Sequence, residues 1–218
     1  MIIMRSRFDE QLNHLRKKMI EMGAECENII ALATKALFDG NVEEALRAKE
    51  EGIKIDELER EIESICLKLL LQQQPVAKDL RIISAALKMI TDMERIGDQA
   101  EDIAAIVATL NGRVGDECIY ISAMAEATIK MVTGSIDAYV NEDLSLAKEV
   151  LKHDDLVDEA FISAKASLIK MIANNINDGE YALDLLMIAK YFERIGDHAT
   201  NIAEWVIFSV TGIHQQGG

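Results

Sequence analysis

Two stretches of this sequence are near-copies that carry carboxylates at the same spacing. Residues 92–104 read DMERIGDQAEDIA and residues 191–203 read YFERIGDHATNIA, identical at eight of thirteen positions with an offset of 99. Glu94, Asp98 and Asp102 in the first copy, and Glu193, Asp197 and Asn201 in the second, fall at i, i+4 and i+8, one face of an α-helix. Carboxyl groups at that spacing stand about 6 Å apart, close enough to share or bridge a cation. Donors that are all oxygen suit a hard ion such as Mg2+, Ca2+, Mn2+ or iron rather than structural zinc. Unrelieved, each exposed like-charge pair costs roughly 0.2–0.5 kcal/mol, which a bound cation removes. The other use of such a row is a solvated acidic face.

A second acid pair lies upstream. Aligning Ala45 with Ala147, an offset of 102, pairs Ile55-Asp56-Glu57 with Val157-Asp158-Glu159. Asp154 precedes Asp158 by four, another i, i+4 pair, whereas Gly52 stands where its counterpart would be in the first half. We therefore expect one cation site on Asp154, Asp158, Glu193 and Asp197, with two helices facing each other across a groove. A lesser site is expected on Asp56, Glu94, Asp98 and Asp102. Arg95 and Arg194, each three residues before an Asp, read as surface ion-pair partners. His198 reads as a hydrogen-bonded helical residue, since Gln99 replaces it in the other copy; His14, His153 and His214 have no ligand-like spacing. No glycine-rich phosphate loop, GxSxG, HExxH or Cys/His pair is present, so the chain is not expected to be an enzyme.

Long helices must position these groups. One proline, few aromatics and abundant Ala, Ile, Leu, Glu and Lys favour helix over sheet. Breaks at Asp39-Gly40-Asn41, Gln72–Pro75, Asn111–Gly115, Asn141–Asp143 and Asn174–Gly179 separate six periodic segments. These predict helices near 7–38, 42–72, 76–110, 116–140, 143–174 and 180–211, with Pro75 in the loop or first turn before the third. In the sixth, Leu185, Ile188, Phe192, Ile195, Ala199, Ile202 and Val206 step by three and four as an apolar stripe, and the third helix does the same from Ala86 to Leu110. The acid rows, joined by Glu204, fall roughly opposite these stripes, at the surface or in a shallow groove. Gly97 and Gly196 recur inside both copies, where a glycine costs about 1 kcal/mol relative to alanine, and so point to close approach of another helix.

The net charge of −15 excludes nucleic acid, whose phosphates it would repel, and favours cations or basic protein surfaces. Cys26, Cys66 and Cys118 are far apart, form no CxxC and fall in helical patterns, the pattern of free thiols in a reducing cytoplasm. No run of about 18 apolar residues offers a membrane span.

The tandem ERIGD motifs, the opening Phe8-Asp9-Glu10, Met22-Gly23, the Gln74–Arg81 stretch QPVAKDLR and the run DHATNIAE at 197–204 resemble the PhoU family of phosphate-uptake regulators over nearly the whole chain. The resemblance implies an all-α fold of two similar three-helix bundles, here 1–113 and 114–218. It implies E(D)xxxD acids that hold divalent or ferric ions, including iron clusters. The signature matches Glu94/Asp98 and Asp98/Asp102, Glu193/Asp197 followed by Asn201, and Asp154/Asp158; in the second helix only Asp56 matches, because its partner position is Gly52. It also implies a negative regulator of the phosphate-starvation response, a homodimer at most peripheral to the membrane, acting through a phosphate ABC transporter and its sensor histidine kinase. Two further readings stand beside it: a metal-free helical scaffold for a basic partner, and a ferritin-like di-metal carboxylate enzyme. The second needs Glu-xx-His pairs facing a four-helix core, and no histidine here has a Glu three residues before it.

Overall fold

The computed structural model describes residues 2–72, 76–110, 112–113, 115 and 119–213. Pro75, Cys118 and His214 lie outside them. The described residues form six long helices and no strand: α1 (Ile2–Asp39), α2 (Val42–Gln72), α3 (Ala77–Thr109), α4 (Ile119–Asn141), α5 (Leu144–Asn174) and α6 (Gly179–Thr211), with a short 3-10 turn at Ile176–Asp178. Helix α1 begins earlier than its periodicity predicts; the other described ends agree within one to three residues.

The starts of α2 and α5 follow from capping side chains that repeat between the halves. Asn41 Oδ1 accepts from the amides of Glu43 (3.0 Å) and Glu44 (3.3 Å), and Asp143 Oδ1 from those of Ser145 (2.8 Å) and Leu146 (3.1 Å). Each satisfies two of the amides a helix start leaves unpaired. The residue before each cap is left-handed, Gly40 (φ 61°) in one half and Glu142 (φ 53°) in the other. A side chain there is strained. The Glu142 carboxylate is held by Arg16 (2.8 Å) and Lys78 (2.9 Å), which offsets the strain and ties the α4–α5 turn to the first half. The Lys78 hydrogen bond, above all, holds Glu142 below its usual pKa.

Helices α1, α2 and α3 pack on one another, as do α4, α5 and α6. The two sets join where α3 lies along α6 and α1 along α4, leaving α2 and α5 on the flanks. Asp92 of α3 meets His198 and Asn201 of α6, while Asp102 meets Tyr191, so α3 and α6 run antiparallel. Their stripes are buried along most of their length, from Ile82 to Val107 and from Tyr181 to Ile207. Cys26 and Cys66 are buried free thiols; burial pushes both pKa values up, Cys66 to about 12. Arg81 donates to the Ser209 carbonyl (3.4 Å) near the α6 C-terminus, where a cation is favoured.

The paired glycines mark close approaches of the flanking helices. A β-carbon on Gly97 would stand 2.9 Å from Ile55 of α2, and one on Gly196 would stand 3.4 Å from Asp154 and 3.5 Å from Val157 of α5. The two positions therefore separate under mutation. Gly196→Ala should gain most of the helical preference for alanine, about 1 kcal/mol, because its new methyl fits. At Gly97 buried Ile55 resists, so Gly97→Ala should gain less or lose stability. Urea unfolding in EDTA measures the difference, and equal gains at both sites would refute this account of the α2 contact.

Candidate metal-binding grooves

The groove between α5 and α6 gathers four expected acids. Asp154 lies over Gly196 and faces Asp158 and Asp197. Burial, then the charges of Asp158 and Asp197, push its pKa up to about 6. The Thr200 hydroxyl opposite favours the charged form, although its geometry falls short of a full hydrogen bond. Burial and then Glu193 raise Asp197, against the pull of Lys190. Lys190 pairs with Glu193 and lies 5.6 Å from the Phe161 ring centre on α5.

The equivalent groove between α2 and α3 brings Asp56 to Glu94 and Asp98, and adds two acids that sequence reasoning missed, Glu59 and Glu101. Burial raises Glu94, followed by Asp98, with Glu59 and Asp56 further off. Burial also raises Glu101, followed by Asp98 and Asp56, while Lys49 opposes. Arg95 pairs with Asp98 (3.2 Å) and Glu94 (3.4 Å), as expected for a surface partner, and Arg60 with Asp56 (3.4 Å). A signal for Glu101 existed: it stands seven residues after Glu94 and three after Asp98, on one helical face.

The last members of the expected rows turn to the α3–α6 seam. Asn201 Nδ2 donates to Asp92 Oδ1 (3.1 Å), which also meets His198 Nδ1 (2.9 Å). Asp102 faces the Tyr191 hydroxyl, whose pKa is raised by burial first and then by that carboxylate. His198 is thus a hydrogen-bonded residue, and His153 meets the Glu149 carbonyl at 2.8 Å.

As placed, no three carboxyl, imidazole or thiol groups among the described residues converge as ligands. The donor chemistry nonetheless fits a hard cation. The donors are all oxygen, and burial, followed by like charges, raises Asp154, Asp197, Glu94 and Glu101. Binding would require the carboxyls to rotate inward from Lys190, Arg95 and Arg60.

A PhoU domain model matches residues 19–107 and again 121–206, one match in each half. The chain belongs to the PhoU family. It is 35% identical over 209 residues to a phosphate-specific transport system accessory protein PhoU homolog of Clostridium acetobutylicum, covering 94% of each chain. A similarly named protein of Pseudomonas aeruginosa is 32% identical over 207 residues, covering 94% of this chain and 86% of its own. The crystal structure of PhoU from Pseudomonas aeruginosa superposes with a TM-score of 0.90 at 32% identity, over 94% of this chain and 100% of that one. PhoU from Streptococcus pneumoniae shares the fold, with a TM-score of 0.87 at 23% identity over 96% and 99% of the two chains.

The crowded second groove has a pH signature. Because the folded pKa of Asp154 lies above its ordinary 3.8, the folded chain holds that proton more tightly. Its contribution to stability is complete below about pH 4 and is lost as the pH rises to about 6. Asp158→Asn removes the largest charge acting on Asp154. In EDTA it should bring the Asp154 carboxyl titration, followed by NMR, back toward the ordinary range and flatten the fall in stability over that window. An unchanged titration would show that Asp158 does not face it.

Proposed function

We propose that this protein is an accessory regulator of phosphate uptake that restrains the phosphate-starvation response when phosphate is plentiful. It does so in the cytoplasm, as a homodimer, by contact with a phosphate ABC transporter and its sensor histidine kinase. The observation that carries this reading is family membership in both halves, together with relatives named as accessory proteins of phosphate-specific transport. The fold agrees with a surface-acting role. No helix among the described residues is long and apolar enough to cross a membrane. The charge of −15 steers a basic partner with salt-sensitive speed.

Within this reading the grooves hold hard cations. Asp154, Asp158, Glu193 and Asp197 line one, and Asp56, Glu94 and Asp98 the other. A bound ion, ferrous, ferric or another divalent metal, would cancel groove charge and so reset the field a partner meets. Asp102 and Asn201 act instead in the seam that holds the halves together. A second reading is favoured by the pairs Lys190–Glu193 and Arg95–Asp98, which already neutralise part of each row. In that reading the acids are a metal-free docking face for basic side chains.

Deleting the gene should switch on a phosphate-scavenging phosphatase in phosphate-rich medium. Complementation with Asp98→Ala plus Asp197→Ala should restore repression only in part if the cation matters, and should lower the metal content of the purified protein. Normal repression in the deletion strain, without a paralogue, would sink the regulatory reading. Unchanged metal content would favour the docking face.

A further inference from the structure

Gly52 is the one place where the first groove lacks an acid that the second possesses, and it is also where the structure is tightest. A β-carbon built on Gly52 would overlap the Glu101 carboxyl, standing 2.5 Å from its Cδ and 3.0 Å from its Cγ. Glu101 therefore reaches across from α3 and lays its carboxyl in the notch that the missing side chain leaves on α2. At the offset of 99, Glu101 corresponds to Thr200; at the offset of 102, Gly52 corresponds to Asp154. One groove has a long acid facing a glycine. The other has a short acid facing a short hydroxyl residue.

We infer that Glu101 replaces the absent α2 acid, so that the first groove carries Asp56, Glu94, Asp98 and Glu101 as the counterpart of Asp158, Glu193, Asp197 and Asp154. The inference rests on the reading of the grooves as cation sites. Two observations support the equivalence, and side-chain length agrees with them. Glu101 is faced by Asp98 and Asp56, and Asp154 by Asp197 and Asp158, which are the same two positions in each repeat. Each carboxyl crosses to a glycine of the facing helix, Glu101 to Gly52 and Asp154 to Gly196. The chemistry is also conserved: a glutamate is one methylene longer than an aspartate, so it can deliver its oxygens to the far side of the groove provided nothing occupies that side. Gly52 is thus a clearance rather than a lost ligand. One difference remains. Lys49 faces Glu101, whereas Leu151 occupies the corresponding position of α5, so Glu101 meets a competing charge that Asp154 does not.

The test uses Mn2+ as the probe, measured by calorimetry and by the loss of the free-ion electron paramagnetic signal at pH 7. The background is Asp154→Asn/Asp197→Asn, which silences the second groove. In that background Glu101→Gln should weaken Mn2+ binding by about tenfold or more, the scale on which support of a metal ligand is felt. Glu101→Thr should do the same. Gly52→Asp together with Glu101→Thr rebuilds the second-groove pattern and should return the affinity to near that of the background. Gly52→Asp alone should not, because its β-carbon collides with Glu101, and it should lower the thermal midpoint in EDTA where the double change does not. Glu101→Gln binding Mn2+ as the background does would overturn the proposal and leave Glu101 as a partner of Lys49 only. A double variant no tighter than Glu101→Thr would overturn it too. Wild-type protein that binds no Mn2+ defeats the cation reading itself, before any Glu101 variant is made. Binding by wild type that vanishes in the background leaves the second groove standing and removes the first.

Discussion

The lateral enclosure of α3 and α6 is the constraint from which the other features follow. Each is touched by three helices: α3 by α1, α2 and α6, and α6 by α3, α4 and α5. A helix so enclosed must be apolar or small over most of its circumference, and residues such as Ala85, Ala86, Ala100, Ala104, Ala189, Ala199 and Ala203 are buried there. Polar residues retain only the narrow strips where two neighbours diverge. On α3 and α6 those strips border the flanking helices, and the carboxylates are concentrated in them. Like charges are crowded not because the chain is rich in acid, but because the packing leaves acid few places to stand. Burial in those strips, and then that crowding, raise the pKa of Asp154 and Asp197, and a bound cation would relieve both.

The helices were legible because their signals are local and redundant. A three-four apolar step marks each helix, and a capping Asn41 or Asp143, a glycine or a proline marks each break, so no long-range information was needed. The grooves were legible only in part, and helical geometry says why. At about 100° per residue, a row at i, i+4, i+8 drifts by about 40° at each step. Asp102 therefore lies about 80° around from Glu94, while Glu101, seven residues on, lies within about 20° of it. The eye follows the repeated spacing to Asp102 and Asn201, which the drift carries to the α3–α6 seam. The groove keeps Glu101, which lies off the pattern. Sequence spacing named the faces but could not say which neighbouring helix each row would meet, since that depends on packing between residues far apart in the chain.

The duplication preserves the physical role of a position more faithfully than its residue. The left-handed residue before the cap is Gly40 in one half, without conformational cost, and Glu142 in the other, where Arg16 and Lys78 secure it. The seam behaves likewise. Asp92 accepts from His198 and Asn201, while at the equivalent positions Tyr191 faces Asp102. The carboxylate is supplied by α3 in both pairs, at the first of the two repeat positions in one and the second in the other, and the polar link across the antiparallel helices survives. Gly52 with Glu101, against Asp154 with Thr200, is the same kind of exchange: a pair of facing positions keeps one carboxyl between them, and which helix supplies it is free to change.

Such exchanges bear on function because a partner reads the field and shape of a groove, not the helix that supplied its charge. Two grooves with similar acid rows but differently placed built-in cations, Lys49 against Glu101 in one and Lys190 against Glu193 in the other, would fill at different metal concentrations. The difference in occupancy would make the two flanks electrostatically unlike each other over a window of cation supply, although the two halves repeat the same order of three helices. The bare flank would then present the stronger negative field to a basic surface, while the loaded one would present a neutralised face. A repeated three-helix order combined with asymmetry in the charges is thus sufficient for one chain to offer two different surfaces, with no change in how its helices pack.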